Sequence, residues 1–321
     1  MGGSAPQRPV AVVAVGGNSL IKDSDHTSLT YQYQAVTQSM GHVAAMIAEG
    51  WNVVVTHGNG PQVGFLLRRS ELAASELHTV PLDVLGADTQ GAIGYMFCRA
   101  LHNEFDRLGM DKRAVSLVTQ TVVDKDDTAF ENPSKPIGSF LTKEQARAHE
   151  ADDGWSVVED SGRGWRRVVP SPSPVRIVEL DAIRVLVHGG YTVVAAGGGG
   201  IPVIENGEQA FEGVEAVIDK DLGSALLANQ LDADLLLIST AVDGVALNFG
   251  TPLETWLGKI TVTAAREYLE AGHFGKGSMG PDGGSDLIPD PWREKGHHYK
   301  PGEDGGCASR RGRYDHRSLT V

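Results

Sequence analysis

Residues 51–61, WNVVVTHGNGP, decide the fold: a short apolar run ends in a glycine-rich turn, and a helical pattern follows. The same unit recurs at residues 10–18 (VAVVAVGGN), 191–202 (YTVVAAGGGGIP) and 234–244 (DLLLISTAVDG). Near-continuous apolar strands separated by helices are typical of a parallel sheet that helices cover on both faces. The sequence therefore predicts an α/β fold. Helices are expected at residues 29–49, 62–76, 90–108 and 221–231.

The glycine-bearing turns are the first candidates for a binding site. All four follow strands of the predicted sheet, and parallel sheets bind ligands beyond the carboxyl ends of their strands, so we expect the turns to converge on one crevice. In Gly16-Gly17-Asn18 and Gly58-Asn59-Gly60, glycine lets backbone N–H groups approach an anion, and the next helix adds its positive end. Each turn taken singly is equally compatible with an ordinary strand-to-helix turn.

Residues 197–200 are four consecutive glycines, which lose much chain entropy when ordered. We interpret them as a place where backbones approach closely, with a flexible loop as the alternative. The spacing of Gly58, Gly60 and Gly64 is one residue too long for a dinucleotide fingerprint, which disfavours a nicotinamide-dependent dehydrogenase. His57, at the end of a strand, is interpreted as a hydrogen-bonded structural residue without a catalytic role.

Two lysines are candidates for phosphoryl chemistry, which depends on positioning and on neutralising the charge of the moving group. Lys135 lies between two prolines, Pro133 and Pro136. Lys220 stands between Asp219 and Asp221 at the start of a predicted helix. Flanking carboxylates would hold the Lys220 ammonium in place and keep it charged. The alternative for each lysine is a solvated surface charge.

Two segments differ from the repeating pattern. Residues 124–174 are rich in proline, glycine and charge, which indicates an excursion from the main sheet, a lid or a small subdomain. Residues 282–321 keep neither helical nor strand periodicity, and we expect this anomalous tail to be disordered.

The 321-residue chain carries 28 Lys and Arg against 41 Asp and Glu, a formal net charge of −13. This charge disfavours binding to nucleic acid or to an anionic membrane, and no apolar run approaches the length of a membrane span. Cys98 and Cys307 form no disulfide framework and have no metal-ligand spacing around them. With no signal peptide visible, a cytoplasmic protein without a structural metal site is expected.

Taken together, ten motifs resemble the carbamate kinases of the amino-acid-kinase family. These are VGGN (15–18), HGNGPQVG (57–64), TQGAIGY (89–95), NPSKPIG (132–138), DSGRGWR (160–166), VVPSP (168–172), GGGGIP (197–202), GVEAVIDKD (213–221), GHF (272–274) and GSMGP (277–281). Their order and spacing hold from Val10 to Pro281, so residues 10–281 are identified as one amino-acid-kinase domain. The 160–166 and 216–221 blocks are far more specific than any glycine turn.

The resemblance implies a three-layer αβα sandwich around a mainly parallel sheet, with a small protruding subdomain, in a homodimer. It implies reversible phosphoryl transfer from carbamoyl phosphate to ADP, giving ATP and carbamate, with Mg²⁺ on the nucleotide and no covalent intermediate. Lys135 and Lys220 would contact the transferred phosphoryl, and Asp221 would orient them. The residues implied on the carbamate side are Gly16, Gly17, Asn18, Gly58, Asn59 and Gly60; those implied on the nucleotide side are Gly198, Gly199, Thr240, Asp243, Asn248, Phe249 and Met279.

The sequence departs from the family at Asp282, where the family has a lysine followed by a helix and a final apolar strand. A carboxylate there would repel the nucleotide phosphates, so weak ATP binding and low activity are expected. One hypothesis for the tail is a reading-frame slip near Pro281. Two other functions stay open at this point: an amino-acid kinase with a different acceptor, and a non-catalytic dimeric binding protein left after loss of the C-terminal elements.

Overall fold

The computed structural model describes residues 8–16, 20–21, 27–160, 162, 164–207, 210–239, 244–274 and 319–320. The strands are β1 (Val10–Val15), β2 (Asn52–His57), β3 (Ala114–Ser116), β4 (Gln120–Val123), β5 (Lys135–Leu141), β6 (Ser156–Glu159), β7 (Trp165–Val169), β8 (Pro174–Ile177), β9 (Thr192–Val194), β10 (Ile201–Glu205), β11 (Phe211–Gly213), β12 (Leu235–Ser239), β13 (Ala246–Leu247), β14 (Thr255–Trp256), β15 (Lys259–Ile260) and β16 (Leu319–Thr320). The helices are α1 (Leu29–Ala48), α2 (Gly60–Ala73), α3 (Leu82–Arg107), α4 (Lys143–Asp153), α5 (Leu180–His188), α6 (Lys220–Gln230) and α7 (Val262–Glu270).

The main sheet has five parallel strands in the order β12-β1-β2-β9-β3. Strand β1 lies between β12 and β2 and pairs Val15 with His57 on one side and with Ser239 on the other, so β1, β2 and β12 end side by side. The predicted parallel sheet and the predicted convergence of these strand ends are therefore confirmed.

Side chains on the two faces of this sheet enter different cores. On β1, Val13 packs in a cluster with residues of α1 and α3, among them Met40 and Phe97. The neighbouring Val12 packs instead with Ile183 of α5 and residues of α6. Because successive strand residues point to opposite faces, this division places helices above and below the sheet. The αβα sandwich predicted from the family resemblance is confirmed.

A second sheet of four strands, in the order β11-β10-β4-β8, continues the fold beyond the main sheet. Its two central strands are parallel, pairing Ile201 with Gln120, while β8 and β11 are antiparallel to them. The glycine run at residues 197–200 lies between β9 of the main sheet and β10 of this second sheet. It therefore joins the two sheets.

Residues 135–169 form a separate three-stranded antiparallel sheet, β5-β7-β6, with α4 inserted between β5 and β6. A capping box between Thr142 and Gln145 begins α4, and Gly154, with a φ of 67°, ends it. We call this unit the subdomain. It lies inside the segment that the sequence predicts to leave the main sheet.

Of the four predicted helices, those corresponding to α1, α2 and α6 agree with the structure to within three residues at each end. The prediction for α3 was wrong at its start. It was expected from residue 90, but α3 begins at Leu82, and the Leu85 N–H donates to the Pro81 carbonyl at 3.0 Å. Its first turns bury Leu82 and Leu85 against Ile137 of the subdomain. The apolar partner comes from a distant segment, so local periodicity did not reveal the extension.

The tail predicted to be disordered, residues 282–321, lies outside the described residues except for β16, which pairs antiparallel with β15. Within the described part of the chain, no helix combines the length and the apolarity needed to cross a bilayer.

Candidate active site

The turn after β2 lies at the carboxyl edge of the main sheet. The Gly58 N–H donates to the Val15 carbonyl at 2.8 Å, which holds the ends of β1 and β2 together. Asn59 occupies the N-cap of α2, and its buried amide donates to Thr89 Oγ1 at 2.9 Å instead of capping the helix. The first N–H groups of α2 are left at this edge, where a helix N-terminus favours an anion.

The glycine run packs tightly against the chain. Gly198, Gly199 and Gly200 have φ values of 68°, 88° and 97°, a region that strongly favours glycine. A Cβ on Gly198 would lie 2.4 Å from Asn59 Nδ2, and one on Gly200 would lie 1.9 Å from Thr121 Oγ1. The predicted close backbone approach is confirmed, and the alternative of a flexible loop is wrong. The contacts are made by this chain itself, so the nucleotide role of Gly198 and Gly199 stays a prediction.

Two buried polar side chains, Gln90 and His57, lie against Gly197 at the start of the glycine run. Gln90 accepts from the Thr119 N–H at 2.7 Å and donates to the Gly197 carbonyl at 2.9 Å. His57 lies edge-on to Phe97, and its Nδ1 is 3.1 Å from the Gly58 carbonyl. Burial lowers the pKa of His57 to about 4, only partly offset by that carbonyl contact, so the imidazole is neutral at pH 7. This geometry agrees with a structural histidine.

The first turn of α6 is anchored to the same edge. Ser224 is 2.6 Å from the Thr56 hydroxyl of β2, and both side chains are buried. A Cβ on Gly223 would lie 2.6 Å from the Gly199 Cα, so α6 packs directly on the glycine run. The N-termini of α2 and α6 thus meet at the ends of β1 and β2.

The two predicted lysines meet at the start of α6. Lys135 Nζ donates to Asp219 Oδ2 at 2.9 Å, across 84 residues of sequence. Lys220, the next residue after Asp219, donates to the Asp221 carboxylate. Both ammonium groups therefore belong to one cluster of two lysines and two aspartates.

Asp219 has two roles in this cluster. Its Oδ1 accepts from the Asp221 N–H at 2.8 Å, which caps α6, while its Oδ2 accepts from Lys135. Burial by itself would raise the pKa of Asp219, but the charge and hydrogen bond of Lys135, the Asp221 N–H and the Lys220 charge hold it below its ordinary value. The carboxylate is ionised at neutral pH and attracts both lysines.

The strand that carries Lys135 is fixed to α2. A Cβ on Gly64 of α2 would lie 3.5 Å from the Gly138 Cα of β5. Arg166 Nη2 donates to the carbonyls of Pro136 and Gly138 at 3.3 Å each, which supports the same strand. Lys135 therefore reaches the N-terminus of α6 from a strand that packs against α2.

The remaining predicted residues fall in two groups. Asn248, with a φ of 51°, contacts His273 Nδ1 through its side-chain oxygen at 3.0 Å, and Phe249 packs edge-on to Trp256. Gly16 directly follows β1, whereas Gly17, Asn18, Thr240, Asp243, Met279 and Asp282 lie outside the described residues.

Sequence reasoning missed that Asp219 serves Lys135. We expected Asp221 to orient both lysines, but Asp221 pairs with Lys220 and Asp219 pairs with Lys135. The adjacency of Asp219 to Lys220 was visible in the sequence. The pairing of Asp219 with Lys135 was not, because Lys135 comes from the subdomain. Arg166 and Thr89 lie within the sequence motifs, but the contacts of Arg166 with β5 and of Thr89 with Asn59 are visible only in the structure.

Comparisons with known proteins identify the family of this chain. The amino acid kinase family model matches residues 9–281 and ends where the motif resemblance ends. A carbamate kinase of Thermococcus kodakarensis is 50% identical over 275 residues, covering 84% of this chain and 86% of that protein. One of Pyrococcus horikoshii is 49% identical over 280 residues, covering 86% and 88%.

Solved structures give the same result. A carbamate kinase of Giardia lamblia bound to AMP-PNP superposes with a TM-score of 0.80 at 40% identity, covering 85% of this chain and 87% of that one. The chain belongs to the amino acid kinase family and, within that family, to the carbamate kinases.

Proposed function

We propose that this chain transfers a phosphoryl group reversibly between carbamoyl phosphate and ADP, giving ATP and carbamate. The observation that carries the proposal is the cluster in which Lys135 and Lys220, from two distant segments, meet at Asp219. Phosphoryl transfer needs fixed positive charge around the equatorial oxygens, and two lysines beside a helix N-terminus supply it.

The roles of the individual residues follow from their places. Lys135 and Lys220 would contact the transferred phosphoryl, and the first N–H groups of α6 would add to the positive field. Asp219 and Asp221 would keep the two ammonium groups in the same positions after the phosphoryl group has left. On the carbamate side, the backbone N–H groups of Asn59 and Gly60 would bind the carboxylate, together with Gly16, Gly17 and Asn18. Gly58, whose N–H holds β2 to β1, would line the same side. Attacking and leaving oxygens would then lie in line, without a covalent intermediate.

On the nucleotide side, we propose Gly198, Gly199, Asn248 and Phe249, with Thr240, Asp243 and Met279 from the sequence motifs. The Giardia relative is bound to AMP-PNP, which supports a nucleotide as a ligand of this chain. Phe249, which is 46% exposed, offers an aromatic face of the kind that an adenine base stacks on.

Mg²⁺ is proposed as a companion of the nucleotide. The described part of the chain has no group of three or more His, Cys, Asp or Glu side chains arranged for a metal. In phosphoryl-transfer sites, Mg²⁺ is bound mainly by phosphates and waters with one or two carboxylates. Asp221, whose carboxylate is 48% exposed, is the residue we propose for it. When bound, the ion would supply further neutralisation of phosphate charge.

The family resemblance also supports a homodimer, and the acidic net charge of −13 disfavours binding to nucleic acid or to anionic membranes. We propose a cytoplasmic enzyme, because the chain has only two cysteines, which suits a reducing compartment. Burial raises the pKa of the free Cys98 thiol to about 11, so this thiol stays protonated and unreactive at neutral pH.

The proposal is tested by coupled ATP formation from carbamoyl phosphate and MgADP with the full-length chain. We expect ATP to form only when both substrates are present, at a rate lowered by Asp282. Glutamate, N-acetylglutamate and nucleoside monophosphates, offered with ATP, should not be phosphorylated. A protein that forms no ATP and shows no Mg-dependent binding of ADP in calorimetry would instead be the catalytically impaired relic.

A further inference from the structure

The joint between the subdomain and the rest of the chain is largely apolar. Val63 and Leu67 of α2 and Leu82 of α3 pack against Ile137 of β5 and Val169 of β7. Apolar contact is non-directional, so this cluster, with the close approach of Gly64 to Gly138, sets the separation of the subdomain from the body more than its angle. The angle, and with it the position of Lys135, depends on the polar contacts at the edge of the joint.

Glu215 makes two of these polar contacts. Its Oε1 accepts from the Leu82 N–H at 2.7 Å, at the first residue of α3. Its Oε2 accepts from Arg167 Nη2 of β7 at 3.1 Å. A carboxylate at a helix N-terminus satisfies an N–H that has no partner within the helix and is favoured by the helix dipole. Glu215 is thereby fixed to the body while it binds the subdomain.

Within the subdomain, Arg167 is held by stacking on Trp155. Its guanidinium carbon lies 4.8 Å from the centre of the Trp155 ring, and its side chain is only 18% exposed. A planar guanidinium stacked on an aromatic ring is already ordered, so pairing with Glu215 costs little extra entropy. The pair therefore joins two preorganised groups.

The pair is directly connected to both catalytic lysines. In the β5-β7 ladder, Arg167 pairs with Ile137, and two register positions further along Val169 pairs with Lys135. On the other side, Glu215 precedes Asp219 by four residues, and between them the Val217 N–H donates to the Pro170 carbonyl at 3.0 Å. A shift of Arg167 against Glu215 thus moves Lys135 relative to Lys220.

We propose that the Glu215–Arg167 pair is a latch that sets the angle of the subdomain and so positions Lys135 over the start of α6. This inference rests on the proposed function. Glu215 and Arg167 are positioning residues, because neither reaches the reacting atoms except through Lys135. Glu215 is 52% exposed, so solvent screens the pair and the expected effect is a two- to fivefold change in rate, roughly that of a partly exposed ion pair.

The test uses Glu215→Gln in the full-length chain. Glutamine can still accept from the Leu82 N–H but removes the charge that binds Arg167. We expect kcat to fall roughly two- to fivefold with the KM for ADP unchanged. The matched control is Glu205→Gln, which removes the charge from the 3.0 Å Arg176–Glu205 pair, at a glutamate of similar exposure, and should leave kcat unchanged.

Two further measurements separate a latch from a general loss of stability. Hydrogen exchange should become faster in β5 and β7 of Glu215→Gln while exchange in β1 and β2 stays at the wild-type rate. Arg167→Gln should lower kcat as much as Glu215→Gln, and the double variant should lose no more than either single variant.

The proposal is overturned if Glu215→Gln keeps the wild-type kcat, or if the losses of the two single variants multiply in the double variant. It is equally overturned if exchange rises in β1 and β2 as much as in β5 and β7. Wild-type protein that forms no ATP would overturn the proposed function and the catalytic part of this inference, while the exchange data would still report whether the pair holds the subdomain.

Discussion

The carboxyl edge of the main sheet and the subdomain place their lysines by different means. At the sheet edge, Gly199 and Gly223 bring two backbones into contact and Ser224 bonds to Thr56, so α6 and Lys220 have one packed position. Lys135 instead stands on a three-stranded unit joined to the body by an apolar cluster and a few polar contacts. Packing therefore fixes Lys220, whereas adjustable contacts at the edge of the subdomain fix Lys135.

The largest expected effect is on the fixed lysine. Lys220→Met should lower kcat about 10³-fold, about 4 kcal/mol of transition-state stabilisation, because a charge on the moving phosphoryl is lost. Thermal unfolding should change little, since the side chain is partly exposed and donates to a half-exposed Asp221. Steady-state ATP formation measures the loss. Lys125→Met, at an exposed lysine that pairs with Asp126, is the control and should keep wild-type activity.

A second variant tests whether packing holds the sheet edge. Gly200→Ala should destabilise the protein by about 3 kcal/mol, because a φ of 97° is strained for alanine and the new Cβ would meet Thr121 Oγ1. Gly91→Ala, in the middle of α3 with open space around its Cβ, is the control. It should be neutral or stabilise by up to about 1 kcal/mol. Chemical denaturation that shows equal midpoints for the two variants would contradict the packing account.

Asp219→Asn separates the two roles of the carboxylate that joins the regions. Asparagine is as good an N-cap as aspartate, so the start of α6 should survive, but the charge that holds Lys135 is lost. We expect kcat to fall roughly 10- to 50-fold, about 1.5–2.5 kcal/mol, with little change in thermal midpoint. Asp219→Ala should lose about 1 kcal/mol of stability in addition. Wild-type kcat in Asp219→Asn would show that Lys135 needs no such partner.

The smallest expected effect is a pH dependence at the sheet edge. His57 has a folded pKa of about 4, below its ordinary value of 6.5, so the unfolded chain binds a proton first as the pH falls. The contribution of neutral His57 to the free energy of unfolding is present in full above pH 6.5 and is lost progressively toward pH 4. The loss is about 1 kcal/mol between pH 7.5 and 5.5. Urea unfolding of wild type and His57→Gln at both pH values tests this. The variant should lose less stability over that interval, and an equal loss would refute the assignment.

The same contrast explains what the sequence could predict. The strands and glycine turns of the main sheet are local patterns, and the close approach at residues 197–200 follows from the cost of ordering four glycines. The start of α3 and the Lys135–Asp219 pair depend on the subdomain folding back, with 84 residues between the two partners. No local pattern encodes such a contact, so the resemblance identified Lys135 but not the group that holds it.

The claim that both lysines act on one phosphoryl is tested most directly by a kinetic double-mutant cycle of ATP formation with Lys135→Met, Lys220→Met and the double variant. We predict that each single variant loses most of the activity and that the double variant loses much less than the product of the two losses. A Lys135→Met protein that keeps the wild-type kcat, or losses that multiply in full, would contradict the account.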